Sequence, residues 1–306
     1  MWKIIPDWYI DRKNFIENSL KKYLLEYFEN KGLFLGKVDN AWIDTFKEAS
    51  LYALEWWKKL RAILALEFFL TLKKKDFSEL EFQDDIVKFC LALECIHAYS
   101  LIHDDLPCMD NDVLRRWKAT VWKKYWEYYA VLVWDMLHSL AFEMISEIKN
   151  ISLSAQLSNL LSRSAWFHWM IWWQIDDMHF EEYPERINIS DLMKLHNRKT
   201  WALIKASVQG WILLSEKIKH IHKLSQFWEK LWLAFQIKDD LLDVEWSSEE
   251  TGKSVWWEKK WFVYFMWVDK TKNYLNDTIK DCLSIIEILN SKNISFLVWY
   301  VKNRKK

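Results

Sequence analysis

The residues of this sequence best suited to chemistry are aspartates, which recur in two short clusters. The first cluster, residues 103–116, reads His-Asp-Asp-Leu-Pro-Cys-Met-Asp-Asn-Asp-Val-Leu-Arg-Arg, and the second, residues 236–243, reads Gln-Ile-Lys-Asp-Asp-Leu-Leu-Asp. Carboxylates packed this closely repel one another unless they share a cation. Oxygen ligands without cysteine or paired histidine suit magnesium, which also binds substrate phosphates. One aspartate pair is usually a solvated helix end, but two clusters within apolar segments favour metal binding.

The first cluster is predicted to lie at the end of a helix. Pro107 disfavours a helical backbone at the residue before it, so a helix should end close to Asp104 and Asp105. Asp110 then returns from the following loop. We expect these three carboxylates to hold a metal ion together.

The second cluster is predicted to lie within a helix. Asp239 and Asp243 are four residues apart, which places them on one helical face, and Gln236 precedes Asp239 by three residues on that face. This face is the second candidate for metal binding.

Almost the whole chain is predicted to be helical, because it has only 4 glycines and 3 prolines and repeats apolar residues at spacings of three and four. The clearest helices are residues 86–104, 128–148, 189–214 and 223–244. Polar connections are predicted at residues 73–78, 149–154 and 245–254. None of the connections has the composition of a domain linker. Residues 1–306 are therefore predicted to form a single all-α domain.

Composition excludes several functional classes. Lysine plus arginine equals aspartate plus glutamate at 43 each, so no overall charge attracts nucleic acid. Apolar runs such as 129–142 are interrupted by polar residues before the roughly 18 residues that a membrane span needs. Charged residues at positions 7 and 11–13 do not resemble a signal peptide. We expect a cytoplasmic protein without a membrane span.

At residues 50–267 the chain resembles the trans-prenyltransferases, or polyprenyl synthetases, and most closely the bacterial farnesyl diphosphate synthases. Residues 97–112 look like the first aspartate-rich motif of the family in its bacterial form, and residues 235–243 look like the second. The resemblance implies an isoprenoid-synthase-type helical bundle around a deep central cavity, with the two clusters facing each other across its mouth. It also suggests a homodimer.

The resemblance further implies a Mg²⁺-dependent condensation of isopentenyl diphosphate with dimethylallyl or geranyl diphosphate, giving farnesyl diphosphate by ionisation, condensation and elimination. The implied Mg²⁺ ligands are Asp104, Asp105, Asp110, Asp239 and Asp243. The implied ligands of the allylic diphosphate are Arg115, Lys199 and Lys259. The implied ligands of isopentenyl diphosphate are Lys58, Arg61, His97 and Arg116. The catalytic residues near the developing cation would be Lys199, Thr200 and Gln236.

Helix geometry adds two expectations. His97 precedes Asp104 by two helical turns, so both should lie on one stripe. Tyr99 and Ser100 lie five and four residues before Asp104, which places them about 6 to 7.5 Å deeper along a helix. An aromatic residue at position 99 resembles the cavity floor of farnesyl synthases, so we expect Tyr99 to stop the product at fifteen carbons.

Three other functions compete with this prediction. A geranylgeranyl diphosphate synthase would make the twenty-carbon product with the same machinery. A non-catalytic regulatory partner of such a synthase would usually lose an aspartate cluster, but both are present here. Terpene cyclases share the fold and need no isopentenyl site, so Lys58, Arg61 and His97 argue against them.

The chain departs from the family in its tryptophans, of which it has 23. Many stand where the family has glycine: Trp56, Trp57, Trp117, Trp126, Trp134, Trp172, Trp173, Trp201, Trp232 and Trp267. Tryptophan and glycine together make up about 9% of the chain, close to the roughly 7% typical of glycine alone. We hypothesise that UGA codons meaning glycine are written here as tryptophan.

Overall fold

The computed structural model describes residues 5–30, 40–55, 58–115, 117–165, 201–216, 221–250 and 262–304. Its helices are α1 (Asp7–Asn30), α2 (Asn40–Glu55), α3 (Leu60–Lys73), α4 (Asp85–Asp105), α5 (Val121–Tyr125), α6 (Glu127–Ser146), α7 (Ile151–Ala165), α8 (Trp201–Ser215), α9 (Ile221–Glu250), α10 (Phe262–Ile286) and α11 (Lys292–Asn303). Short 3-10 turns lie at Phe77–Glu79 and Glu287–Leu289. Strands β1 (Leu114–Arg115) and β2 (Lys118–Ala119) form an antiparallel hairpin. The all-α prediction is confirmed.

The predicted helix ends are less accurate than the helices themselves. Residues 149–154 are predicted to be a connection, but α7 begins within them at Ile151. The side chain of Asn150 accepts a hydrogen bond from the Leu153 amide (3.1 Å) at the start of this helix. Residues 245–250 likewise continue α9. Polar residues alone do not end a helix when no glycine or proline intervenes. Residues 189–200 of another predicted helix lie outside the described residues.

The chain divides into two compact units. Unit 1 comprises Met1–Leu66 and Asp76–Ser158, and unit 2 comprises Glu67–Lys75 and Asn159–Lys306. The first aspartate cluster belongs to unit 1 and the second to unit 2. A single domain over residues 1–306 stays a prediction.

Helix α4 is the core of unit 1. Its buried residues occupy every side of the helix from Ile86 to Ile102, and its principal neighbour is α6. An element that is apolar all round has to be surrounded by protein or lipid. Among the described residues α4 is long and apolar enough to cross a membrane, but most of it is buried inside the unit, as in the core helix of a globular protein.

Polar contacts fix the N-terminal half of α4, far from the aspartates. Tyr23 of α1 donates a hydrogen bond to Glu147 Oε1 (2.7 Å), and Lys88 of α4 donates to the Glu147 carbonyl oxygen (2.8 Å). Burial, together with the Glu147 carboxylate, raises the pKa of Tyr23, so its phenol stays protonated and continues to donate. These bonds join α1 and α4 to the end of α6.

Aromatic rings form the core of unit 2. Phe68 of α3 stacks on Trp211 of α8, with ring centroids 4.9 Å apart, and Phe227 and Trp228 of α9 lie 5.4 Å from the same ring. Helix α9 also packs on α10 and α11. The second aspartate cluster is therefore carried by a helix that is held on several sides.

Three tryptophans occupy backbone conformations that favour glycine. Trp117, Trp126 and Trp267 have φ angles of 67°, 77° and 64°, and ψ is 156° at Trp126 and 155° at Trp267. Positive φ combined with ψ near 155° is almost restricted to glycine, because any Cβ atom clashes with the backbone. The three side chains are 74%, 69% and 65% exposed, so little packing compensates for this strain.

We predict that Trp126→Gly and Trp267→Gly each increase the free energy of unfolding. Relief of the backbone strain contributes about 1–3 kcal/mol, and the greater freedom of glycine in the unfolded chain removes up to about 1 kcal/mol of that gain. Urea denaturation followed by circular dichroism measures the change.

Trp299→Gly is the matched control. Trp299 is also exposed (48%) but lies inside α11. Glycine should cost about 1 kcal/mol there. If all three substitutions shift stability in the same direction, backbone conformation is not the cause.

Candidate active site

The backbone of the first aspartate cluster follows the predicted path. Helix α4 ends at Asp105, and Leu106, the residue before Pro107, has left the helical conformation (φ −58°, ψ 149°). The chain then turns back, and the backbone amide of Asp110 donates a hydrogen bond to the Asp104 carbonyl oxygen (3.0 Å). The proline therefore brings the exposed Asp110 back to the half-buried Asp104.

Asp105 is bound by Arg115 of the β-hairpin. Arg115 Nε donates a hydrogen bond to Asp105 Oδ1 (2.7 Å), Arg115 Nη2 lies 2.5 Å from the same oxygen, and Asp112 Oδ2 lies 3.5 Å from Nη2. The Asp105 side chain is only 6% exposed. Arg115 thus links the hairpin to the end of α4, and it supplies a buried carboxylate with a counter-charge. The metal-binding role of Asp105 stays a prediction.

Burial raises the pKa of Asp105 to about 6, while the bond from Arg115 acts in the opposite direction. The ionised form is therefore less favourable in the folded chain than in water. A divalent cation beside Asp104 would favour that form, because opposite charge lowers the pKa of a neighbouring carboxyl group.

The residues of this cluster fit Mg²⁺ as it is usually bound. Asp104 and Asp110 offer carboxylate oxygens. The exposed Cys108 also lies in the cluster, whereas Cys90, Cys95 and Cys282 are buried elsewhere. Among the described residues, no three carboxylate, histidine or cysteine side chains converge to form a complete metal site. Mg²⁺ is commonly held by one or two carboxylates with substrate phosphates and water. The cluster is therefore suited to a metal ion that arrives with a phosphorylated substrate.

The basic residues predicted to bind isopentenyl diphosphate lie on two elements of unit 1. Lys58 lies two residues before the start of α3, Arg61 is in the first turn of α3, and His97 lies on α4; all three are half-buried. Tyr9 of α1 donates a hydrogen bond to the Lys58 carbonyl oxygen (2.7 Å). The fourth residue predicted for this role, Arg116, lies outside the described residues.

The predicted cavity-floor residues lie on α4 as expected. Tyr99 is 9% exposed, and its ring stacks on Trp134 (6.0 Å, 12°) and lies 5.0 Å from the His138 ring on α6. Burial raises the pKa of Tyr99 and lowers that of His138, so both groups stay neutral near pH 7. Ser100 donates its hydroxyl to the His97 carbonyl oxygen (2.8 Å). A neutral aromatic wall of this kind suits a hydrocarbon chain.

The second cluster lies on α9, as predicted. Gln236 and Asp239 are both half-buried, and for Asp243 the structure describes only the helical backbone. Asp240, which follows Asp239, is buried, and its Oδ2 accepts a hydrogen bond from the Phe262 amide (2.7 Å) at the start of α10. Asp240 therefore stabilises the end of a neighbouring helix.

Arg304 is a residue of the second cluster that the sequence motifs did not predict. Its Nη2 atom lies 2.7 Å from Asp239 Oδ1 and donates to the Phe235 carbonyl oxygen (3.0 Å). The guanidinium carbon also lies 3.5 Å from the centre of the Phe235 ring. The only hint in the sequence is a basic C-terminal segment, which by composition resembles a solvated tail.

Besides Arg116, three more predicted site residues lie outside the described residues. They are Lys199, Thr200 and Lys259. Their roles at the allylic diphosphate and the developing cation stay predictions.

Comparison with known proteins gives a consistent result. The profile described as polyprenyl synthetase matches residues 44–257. The farnesyl diphosphate synthase of Micrococcus luteus is 37% identical over 231 residues, covering 72% of this chain and 78% of that protein.

Two solved structures are similar over nearly their whole length. An FPP/GFPP synthase from Zymomonas mobilis has a TM-score of 0.79 at 26% identity, covering 96% of this chain and 98% of that one. A geranyltransferase from Helicobacter pylori, complexed with magnesium and isoprenyl diphosphate, has a TM-score of 0.76 at 29% identity, with coverage of 99% and 98%. With the profile matching most of the chain and both aspartate motifs on the predicted helices, this chain belongs to the polyprenyl synthetase family.

Proposed function

We propose that this protein is a Mg²⁺-dependent prenyltransferase that joins isopentenyl diphosphate to dimethylallyl and geranyl diphosphate and releases farnesyl diphosphate. The observation that carries this proposal is the arrangement along α4. Asp104 and the returning Asp110 lie at its end, and the buried Tyr99 lies about 7.5 Å deeper on the same helix. A diphosphate held at the aspartates would direct its hydrocarbon chain toward Tyr99.

The chain's own residues would act in three stages. Arg115, Lys199 and Lys259 would bind the allylic diphosphate. The residues that would hold Mg²⁺ are Asp104, Asp105 and Asp110 of the first cluster and Asp239 and Asp243 of the second; the metal would supply positive charge against the departing diphosphate. Lys58, Arg61, His97 and Arg116 hold isopentenyl diphosphate so that its double bond attacks the allylic cation. The dipoles of Thr200 and Gln236 stabilise that cation, and the released diphosphate takes the proton.

Two alternatives remain in different classes. A geranylgeranyl diphosphate synthase would need a deeper cavity, and the buried Tyr99 ring favours the shorter product. A non-catalytic regulatory partner would be expected to lack one metal cluster, and both are present. Product analysis separates all three functions.

We propose in addition that the protein is a cytoplasmic homodimer. An exposed apolar group on unit 1, formed by Trp42, Tyr128 and Leu132, is a suitable surface for a second copy. The balanced charge of the chain is compatible with the cytoplasm. A monomer mass in analytical ultracentrifugation at micromolar concentration would contradict the dimer.

We also propose that the tryptophans at family glycine positions are glycine in the native protein. The positive φ angles of Trp117, Trp126 and Trp267 support this proposal, since these positions were assigned to glycine from the family pattern alone. The codons at Trp56, Trp117 and Trp201 test it directly. UGG at all three positions would refute it.

The first functional test uses the chain expressed with glycine at the 23 tryptophan positions. Incubation with Mg²⁺, dimethylallyl diphosphate and isopentenyl diphosphate should give a fifteen-carbon product by chromatography. Chelation of the metal should abolish it. A twenty-carbon product would favour the geranylgeranyl synthase, and a folded protein without product would favour the regulatory partner.

Asp104→Asn and Asp239→Asn should each lower kcat by about 10²-fold or more, because electrostatic stabilisation of the leaving group is lost. Both variants should need more Mg²⁺ for half-maximal rate. Asp277→Asn is the control, since Asp277 is exposed on α10 and forms an ion pair with the exposed Lys280. Equal losses in all three variants would contradict a metal role for the clusters.

Tyr99→Ala should lengthen the main product from fifteen to twenty carbons, because it removes the aromatic wall below the aspartates. The buried Tyr125, which packs 5.5 Å from Tyr52, provides the matched control Tyr125→Ala. Product length is measured by chromatography of the hydrolysed prenyl alcohols. An unchanged fifteen-carbon product in an active Tyr99→Ala variant would show that the floor lies elsewhere.

A further inference from the structure

The segment that carries Lys58 and Arg61 is held by buried groups that the proposed reaction does not use. Between these two residues, Lys59 is 1% exposed and has a positive φ of 50°. Its Nζ donates a hydrogen bond to the Leu54 carbonyl oxygen (2.5 Å) at the end of α2. A lysine in this position is costly to bury unless the cation has a counter-charge.

Glu94 of α4 provides that counter-charge. It is 1% exposed, and its Oε1 accepts a hydrogen bond from the Ala62 amide (3.2 Å) in the first turn of α3. Burial lowers the pKa of Lys59, and the charge of Glu94 partly opposes this effect. A carboxylate at a helix N-terminus also stabilises the exposed amides there. Glu94 therefore serves both the cation and the helix start.

The second oxygen of Glu94 is unusual. Oε2 is buried and accepts no hydrogen bond within the described part of the chain. A buried carboxyl group with an unused acceptor is costly, and such a group in a native fold usually has a reason. Stability of the core alone does not supply one.

Two further bonds fix the same backbone segment. The hydroxyl of Tyr9, which is 2% exposed, donates a hydrogen bond to the Lys58 carbonyl oxygen (2.7 Å). The thiol of Cys90 donates a hydrogen bond to the Ala62 carbonyl oxygen (3.4 Å). Residues 58–62 are thus held from α1 on one end and from α4 on the other. Lys58 and Arg61 both lie within this fixed segment.

Glu94 also connects this segment to His97, a third residue proposed to bind isopentenyl diphosphate. His97 follows Glu94 by three residues, less than one turn of α4. The hydrogen bond from the Ala62 amide to Glu94 therefore fixes the position of the start of α3, and with it Lys58 and Arg61, relative to His97. A shift of α3 along α4 would separate the three groups.

We propose that Glu94 is a positioning residue for isopentenyl diphosphate, acting with Lys59 and Tyr9 to hold Lys58 and Arg61 in register with His97. Glu94 touches no substrate in this role. The inference rests on the proposed function, because it takes these three residues as the isopentenyl site.

The test compares Glu94→Gln with the parent enzyme. Glutamine keeps an oxygen for the Ala62 amide but removes the charge that faces Lys59. The KM for isopentenyl diphosphate should rise roughly 10-fold, equivalent to about 1.4 kcal/mol of binding. The KM for the allylic diphosphate should change by less than about 2-fold, because its ligands lie elsewhere.

Glu67→Gln is the matched control. Like Glu94, Glu67 is a buried glutamate (3% exposed), but it lies on α3, and Asn293 Nδ2 donates a hydrogen bond to its Oε2 (2.8 Å). The substitution Glu67→Gln should leave both KM values unchanged. A merely structural role for Glu94 would lower the amount of active enzyme, and therefore kcat, without separating the two KM values. That result, or an equal rise of both, would overturn the proposal.

Tyr9→Phe provides a second route if Glu94→Gln does not fold. It removes one hydroxyl from the same clamp and should raise the KM for isopentenyl diphosphate selectively, by a smaller factor. Unchanged KM values in this variant would overturn the proposal.

Calorimetric binding of isopentenyl diphosphate to the resting protein separates the proposal from the reaction itself. If the parent binds the ligand but makes no product, the proposed function fails, and weaker binding by Glu94→Gln still supports the positioning role. Equal binding by parent and variant overturns that role.

Discussion

Helix α4 has to bury side chains on every face and still end in the aspartates of the candidate site. The core of unit 1 depends on the first requirement, because α4 is its central helix, and the candidate site depends on the second. Pro107 reconciles the two by ending the helix where burial ends. Rigid packing of α4 therefore fixes Tyr99, His97 and the first aspartates relative to one another.

Paired charges recur wherever the candidate site enters the protein interior. Arg115 meets Asp105, Arg304 meets Asp239, and Lys59 lies in the field of Glu94. Breaking such a pair leaves an uncompensated charge in a medium of low dielectric constant, which is more costly than never having buried it. The resting protein thus keeps several of its ions neutralised by side chains before any diphosphate arrives.

The features that could be predicted from the sequence are those that depend only on residues close together along the chain. The end of α4, the return of Asp110 and the helical face of Asp239 follow from rules that act over a few residues, and the structure has each of them. Side-chain partners that tertiary packing brings together could not be predicted in this way. Glu94 and Ala62 are 32 residues apart, and Arg304 reaches Asp239 from the last helix. Nothing in the spacing of either residue marks its partner, because helix packing alone brings them together.

The conformation of Trp126 has a consequence beyond this protein's stability. A main chain selects among residue types by steric exclusion, so φ of 77° with ψ of 156° acts as a test of identity that does not depend on how the codon was read. Where a bulky side chain lies at such angles, the backbone conformation tests whether the codon was translated as the correct residue. Other proteins encoded by the same genome should then carry the same discrepancy at their own tight turns, so that dihedral angles collected over a few of them would reveal which triplet had changed its meaning.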